Sequence, residues 1–387
     1  MKISLPNAQG QTSIYQVVGT PLPIIAPTKP FNRIAFAAAH VVADPFRDNS
    51  IDWETTLAYR RHLLGLGFGI AEAMDTSQRG MGLAWPEALQ LIERSLNDAG
   101  AEHSKRIYSG CGTDHISSDY AKTLDDVIAA YLLQLHAIQK RGGRIILMAS
   151  RALVGVAKSP DDYVRVYSRV LQEADHPVIL HWLGPMFDPA LRGYWGTDDF
   201  QSGMSTALEV ITENVAKVDG IKISLLDAEK EISMRKLLPV SVKMYTGDDF
   251  NYADLIAGDA HGYSHALLGI FDAIAPAASL ALTALAENNL EKFHALLAPT
   301  VPLSRLIFKA PTQHYKTGIV FLAWLNGHQN HFTMVNGAQS FRTITHFSEI
   351  FRLADQANLL AKPELAVERM EHLLPCMVHD ARSYWTS

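Results

Sequence analysis

Short apolar runs recur along the chain, and most are followed by a segment whose apolar positions return every three to four residues. Runs of this length read as buried strands, and the 3.6-residue return reads as amphipathic helix. The strand segments are RIAFAAAH (33–40), GIAEAM (69–74), RIYSG (106–110), RIILMAS (144–150), PVILHWL (177–183), GIKIS (220–224) and VSVKMYT (240–246), with a weaker eighth at 261–265. Helices are predicted over 51–67, from Pro86 to Leu96, over 119–140 and from Ser159-Pro160 onward, the prolines standing in first turns. Strand–helix alternation predicts a parallel sheet, and eight such units predict a closed (β/α)8 TIM barrel of the α/β class. An open doubly wound sheet would carry a glycine-rich phosphate loop after an early strand, and the chain has no GxGxxG or Walker pattern.

The two ends break this rhythm. KISLP and TSIYQVV flank the turn-forming Asn7-Ala8-Gln9-Gly10, which predicts an N-terminal β-hairpin, and the proline-rich TPLPIIAPTKP follows as a connector. Beyond residue 290 the pattern is purely helical. The expected organisation is therefore a hairpin and connector over 1–30, a barrel over 31–289 and a C-terminal helical extension over 290–387. A hydrophobic fraction of 48% fits a large core, so 387 residues need not mean several domains. A net charge of −6 gives no footprint for nucleic acid or an anionic membrane. The longest apolar run, 266–286, holds Asp272 and Pro276 and reads as a buried helix rather than a span. Two distant cysteines and an N-terminus without a signal-type apolar core lead us to expect a cytoplasmic protein.

One residue stands out against this frame. Lys222 sits among strand-forming neighbours in Gly220-Ile221-Lys222-Ile223-Ser224. A lysine buried there is costly unless it is paired or its pKa is lowered, and a partly neutral amine can attack a carbonyl to form a Schiff base. Reactive groups of such barrels lie at the C-terminal ends of the strands. Those positions hold His40, Asp75-Thr76-Ser77, Ser109-Gly110-Cys111-Gly112, Ser150-Arg151, His181-Trp182, Gly247-Asp248-Asp249 and His261-Gly262. Sixteen histidines also leave room for a divalent-metal site built from His40, Glu72, His181 and His261, although no HxH or HExxH spacing supports it. That alternative corresponds to a metal-dependent sugar isomerase or class II aldolase. A third reading is a barrel that binds a keto acid without chemistry.

From about residue 33 to 360 the order of features resembles the dihydrodipicolinate synthase and N-acetylneuraminate lyase family of Schiff-base aldolases. Gly220-Ile221-Lys222 reproduces the family's lysine motif on strand six. Thr76 and Ser77 match the two hydroxyl residues of its carboxylate loop, without the flanking glycines and glutamate. Ser109-Gly110-Cys111-Gly112, Gly247-Asp248, Asp259-Ala260-His261-Gly262 and Lys309-Ala310-Pro311 with Lys316 fall where relatives have similar segments. In Ile179-Leu180-His181-Trp182-Leu183-Gly184-Pro185, His181 stands where the family carries a proton-relaying tyrosine, and imidazole carries protons readily near neutral pH. The resemblance implies a divergent lyase acting on pyruvate or a longer 2-oxo acid by retro-aldol cleavage, condensation or dehydration. It implies Lys222 and His181 as catalytic, Asp75, Thr76, Ser77, Arg151, Gly247 and Asp248 as substrate-binding, no cofactor beyond the lysine imine, and a homo-oligomer. The 184–204 segment, with Arg192, Tyr194 and Trp195, is long for the family and is expected to cover a bulkier or sugar-acid substrate.

Overall fold

The repeated apolar runs become, in a computed structural model of the protein that describes residues 1–48, 50–117 and 120–377, eight parallel strands closed into a barrel. An antiparallel hairpin, β1 (Lys2–Pro6) and β2 (Thr12–Gln16), precedes them. The barrel strands are β3 (Ala35–Ala38), β4 (Gly69–Glu72), β5 (Ile107–Cys111), β6 (Arg144–Leu147), β7 (Val178–Leu183), β8 (Val218–Ser224), β9 (Lys243–Thr246) and β10 (His265–Leu268). Each pairs with its neighbour in sequence, and β10 closes on β3 through Ala266, Leu267 and Leu268. This is the TIM-barrel architecture.

The strands are nearly continuous apolar runs because parallel strands are covered on both faces. Phe36, Ala71, Tyr108, Ile146, Ile179, Tyr245 and Leu267 fill the barrel interior. Phe36 packs edge-on to Tyr108, with ring centroids 4.9 Å apart. At the other end of β8, Asp219 accepts hydrogen bonds from Lys243 Nζ and Tyr245 Oη, both at 2.6 Å. A side chain at Gly220 would strike the Lys243 carbonyl at 2.4 Å, so only glycine lets β9 approach this closely. The eighth strand begins later than 261–265. A turn with Gly258 and Gly262 at positive φ occupies that stretch, and the pairing run is the apolar His265–Leu268. The helix expected over 119–140 is Leu124–Gln139, opened by a Thr123–Asp126 capping box. Its expected start at Asp119 lies outside the described residues.

The chain divides into two compact units, one holding residues 33–39 and 68–269 with all eight barrel strands. The other unites Met1–Asn32, His40–Gly67 and the chain from Ile270 onward. In this second unit the hairpin and connector are held by Asp355 of the helix Ile344–Gln356. Its buried carboxylate accepts from Tyr15 Oη at 2.8 Å and from the backbone N–H groups of Val18 and Gly19 at 2.9 and 3.0 Å. Phe321, Trp324, Phe332 and Phe347 form an aromatic cluster among its C-terminal helices. Among the described residues no helix is long and apolar enough to cross a membrane.

Candidate active site

Alternation along β8 sends Gly220, Lys222 and Ser224 to one face and Ile221 and Ile223 to the other. In register, Lys222 lies between His181 on β7 and Tyr245 on β9. The lysine is 8% exposed. Burial lowers its pKa below that of a free lysine, and the carboxylates of Asp249 and Asp75 oppose that shift without cancelling it. Gly247 makes room for this arm, since a Cβ there would lie 2.3 Å from Ser224 Oγ and 2.7 Å from Lys222 Cε.

His181 is fully buried, with Nε2 3.2 Å from Ser224 Oγ. Burial and then the neighbouring Lys222 charge hold its imidazole well below the ordinary histidine range. It is therefore neutral at physiological pH and able to accept a proton. Lys222 and His181, singled out separately in the sequence, are thus strand neighbours at the C-terminal mouth of the barrel.

A cavity of about 380 Å³ opens at this mouth, within the size range of small-molecule pockets. His181, Asp75, Thr113, Asp114, Arg151 and Asp188 help line it. Asp75, Thr76 and Ser77 form a 3-10 turn directly after β4, and Thr76 and Ser77 are buried. Ser77 Oγ donates to the Ala39 carbonyl at 2.6 Å, so this hydroxyl ties the turn to the end of β3. Arg151 begins the helix Arg151–Val156, capped by Ser150, and its Nε donates to Asp188 Oδ2 at 2.6 Å. Asp248 shapes a turn, accepting from the N–H groups of Phe250 and Asn251 and from Asn251 Nδ2. Of the two aspartates after β9, it is Asp249 whose charge acts on Lys222.

Two sequence expectations change. Tyr194 and Trp195 do not cover the cavity as exposed rings. They are buried with Tyr163, Tyr167 and Trp182, so they anchor the long segment from beneath. The four residues considered for a metal do not form a ligand set. Glu72 accepts from Ser95 Oγ at 2.6 Å and from the Ala73 N–H, His181 faces Ser224, and His261 is exposed on its turn. His40 belongs to the other unit, where Nδ1 lies 2.8 Å from Asp272. Among the described residues no group of three or more His, Cys, Asp and Glu side chains is arranged to hold a metal ion.

Sequence reading missed the residue that organises one cavity wall, Arg79. Its Nε and Nη2 donate to the two Asp114 oxygens at 2.7 Å, Nη2 donates to Gln134 Oε1, and Nη1 donates to the Ala73 and Gly110 carbonyls. Burial would raise the Asp114 carboxyl, but Arg79 and Gln134 outweigh it and hold the group below the usual carboxylate range. Only its place after β4 hinted at a role. A hydroxyl chain was equally hidden, with Thr113 Oγ1 2.7 Å from Ser150 Oγ, the Ser150 N–H donating to Tyr194 Oη, and Tyr194 Oη 2.8 Å from Tyr167 Oη.

The model of a family described as "Protein of unknown function (DUF993)" matches residues 3–378. No curated protein matches the chain in sequence. Solved structures share its fold. A prophage protein of the dihydrodipicolinic acid synthase family from E. coli K12, solved in complex with pyruvate, is 12% identical with a TM-score of 0.68, the match covering 85% of this chain and 99% of that one. Dihydrodipicolinate synthase from Aquifex aeolicus is 13% identical with a TM-score of 0.65, at 85% and 99% coverage. The chloride-inhibited dihydrodipicolinate synthase from Acinetobacter baumannii, complexed with pyruvate, is 14% identical with a TM-score of 0.62, at 84% and 99% coverage.

Proposed function

The chain belongs to the DUF993 family of proteins of unknown function, and we propose that it is a Schiff-base lyase acting on pyruvate or a longer 2-oxo acid. The observation that carries this reading is a buried lysine of lowered pKa paired in register with a buried neutral histidine at the mouth of a closed barrel. The pyruvate complexes of two structures that share this fold support it.

In this reading neutral Lys222 attacks the ketone carbon, and loss of water gives an iminium ion that accepts the electron pair of the bond being broken. Asp249 and Asp75, whose charges already act on Lys222, stabilise that cation. Thr76 and the backbone of its turn take the substrate carboxylate, with Ser77 holding the turn in place through Ala39. His181 takes the proton of the C4 hydroxyl in cleavage and returns it in condensation. The lysine supplies the electron sink, so the reaction calls for no organic cofactor.

Borohydride reduction in the presence of pyruvate tests this directly. The expected result is one reduced pyruvyl group on the peptide containing Lys222, lost in Lys222→Arg. Absence of an adduct at Lys222 with pyruvate and with longer 2-oxo acids would overturn the proposal.

A further inference from the structure

The turn after β4 is bracketed by two residues in an unfavourable backbone conformation. Ala73 and Gln78, on either side of Asp75-Thr76-Ser77, stand at φ +53° and +62°. Residues that carry a Cβ enter this left-handed region at a cost, whereas glycine enters it freely. Both are nevertheless buried, at 0% and 1% exposure. Such conformations persist where the surroundings over-determine them, and they cluster at ligand clamps.

Ala73 is gripped on both its N–H and its carbonyl. The N–H donates to Glu72 Oε1 at 2.8 Å, and Glu72 Oε2 is fixed in turn by the Ser95 hydroxyl at 2.6 Å. The carbonyl accepts from Arg79 Nη1 at 3.2 Å, and the same nitrogen donates to the Gly110 carbonyl at 3.1 Å. Nε and Nη2 donate to Asp114 and Gln134, so Arg79 ties the end of β4 to β5 and to the helix Leu124–Gln139. A guanidinium has five N–H groups, and these contacts occupy all of them. Arg79 borders the cavity, yet it acts on a ligand there only through the backbone it holds. Asp75, on the turn itself, lines the same cavity.

We propose that Arg79 and Glu72 are positioning residues, which hold Ala73 left-handed and thereby keep the Asp75–Ser77 turn in place to receive the carboxylate of a 2-oxo acid. This rests on the Schiff-base reading of Lys222, since the lysine fixes where that carboxylate lies. With the grip loosened, Ala73 relaxes toward negative φ and the peptide on which the turn begins rotates. The substrate carboxylate then loses its seat, while the amine of Lys222 and its attack on a ketone are untouched.

Borohydride trapping on the full chain, at varied ketone concentration, compares pyruvate with methyl pyruvate, the same ketone without the negative charge. Arg79→Lys keeps a charge beside Asp114 but lacks the planar fork that reaches both carbonyls. It is expected to raise the half-saturating pyruvate concentration about tenfold and to leave that of methyl pyruvate within about twofold, which certifies the fold. Ala73→Gly removes the cost of the left-handed conformation, so the Ala73→Gly/Arg79→Lys double variant is expected to recover about threefold of the pyruvate loss. Ser95→Ala loosens Glu72 without touching Arg79. It is expected to raise the pyruvate value alone by about threefold, and it reads the grip even where Arg79→Lys does not fold. Equal changes for both ketones in the folded variants, no change for either, or no recovery in the double variant overturns the positioning role and leaves the Schiff-base reading standing. Absence of an adduct at Lys222 in the unsubstituted chain overturns both.

Discussion

Lys222 and His181 divide the proposed chemistry between them, and their environments push both toward the neutral form. The amine that attacks must be unprotonated, so the rate of adduct formation rises with pH through the Lys222 pKa, which lies below that of free lysine. The imidazole of His181 is held well below its ordinary range, so it stays a proton acceptor on the acid side of neutrality. His181→Asn is expected to lower kcat for cleavage by about 10²–10⁴-fold while the borohydride-trapped adduct still forms. Equal loss of both would make the histidine a structural partner of Ser224. At this scale the lysine was legible because a charge among β-branched neighbours is conspicuous. The fate of Ser77 and Arg79 was not, because the carbonyls they meet lie at or just beyond the ends of three different strands.

Elements explain why parts of the site were misread. The apolar run near 261–268 carries two histidines that look like a strand end, yet the turn at Asp259–Gly262 takes the first half and leaves His265–Leu268 for pairing. Aromatic residues in a long connecting segment suggest a lid, whereas burial of rings as large as Tyr194 and Trp195 contributes about 2 kcal/mol each and draws them inward. The helix Ala228–Arg235 holds a further consequence. Its Glu231 is buried and accepts from Ser264 Oγ at 2.7 Å, and burial pushes the carboxyl up to about 8. A folded pKa raised above the unfolded value favours folding fully below about pH 4.5, and the contribution is lost as pH rises through about 8. Urea denaturation is therefore expected to show stability falling between pH 5 and 8.5, and Glu231→Gln is expected to flatten that slope. An unchanged slope in the variant would remove Glu231 as its cause.

The whole chain shows how far periodicity reaches. Strand–helix alternation specifies the closed barrel, because each unit must bury both faces of a short strand, and a parallel order leaves few ways to do so. Pattern did not reveal the division into units, which joins the first 32 residues to the last helices. That link depends on Asp355, and Asp355→Ala is expected to cost about 3 kcal/mol, since two backbone N–H groups and the Tyr15 hydroxyl lose a charged acceptor. Thermal unfolding followed by circular dichroism would measure it, and an unchanged Tm would show that the carboxylate holds nothing together.

The same carboxylate has a meaning for how the protein is made. Val18 and Asp355 are 337 residues apart, a distance that a ribosome covers in roughly 15–70 seconds. During that time the hairpin has no acceptor, and Ile3 and Leu5, buried in the finished protein, face solvent or a chaperone. The strands over 69–268 have already emerged by then. The hairpin leaves the exit tunnel before the barrel strands yet is among the last segments to find its place, and nascent chains arrested before residue 355 should carry a hairpin open to proteases.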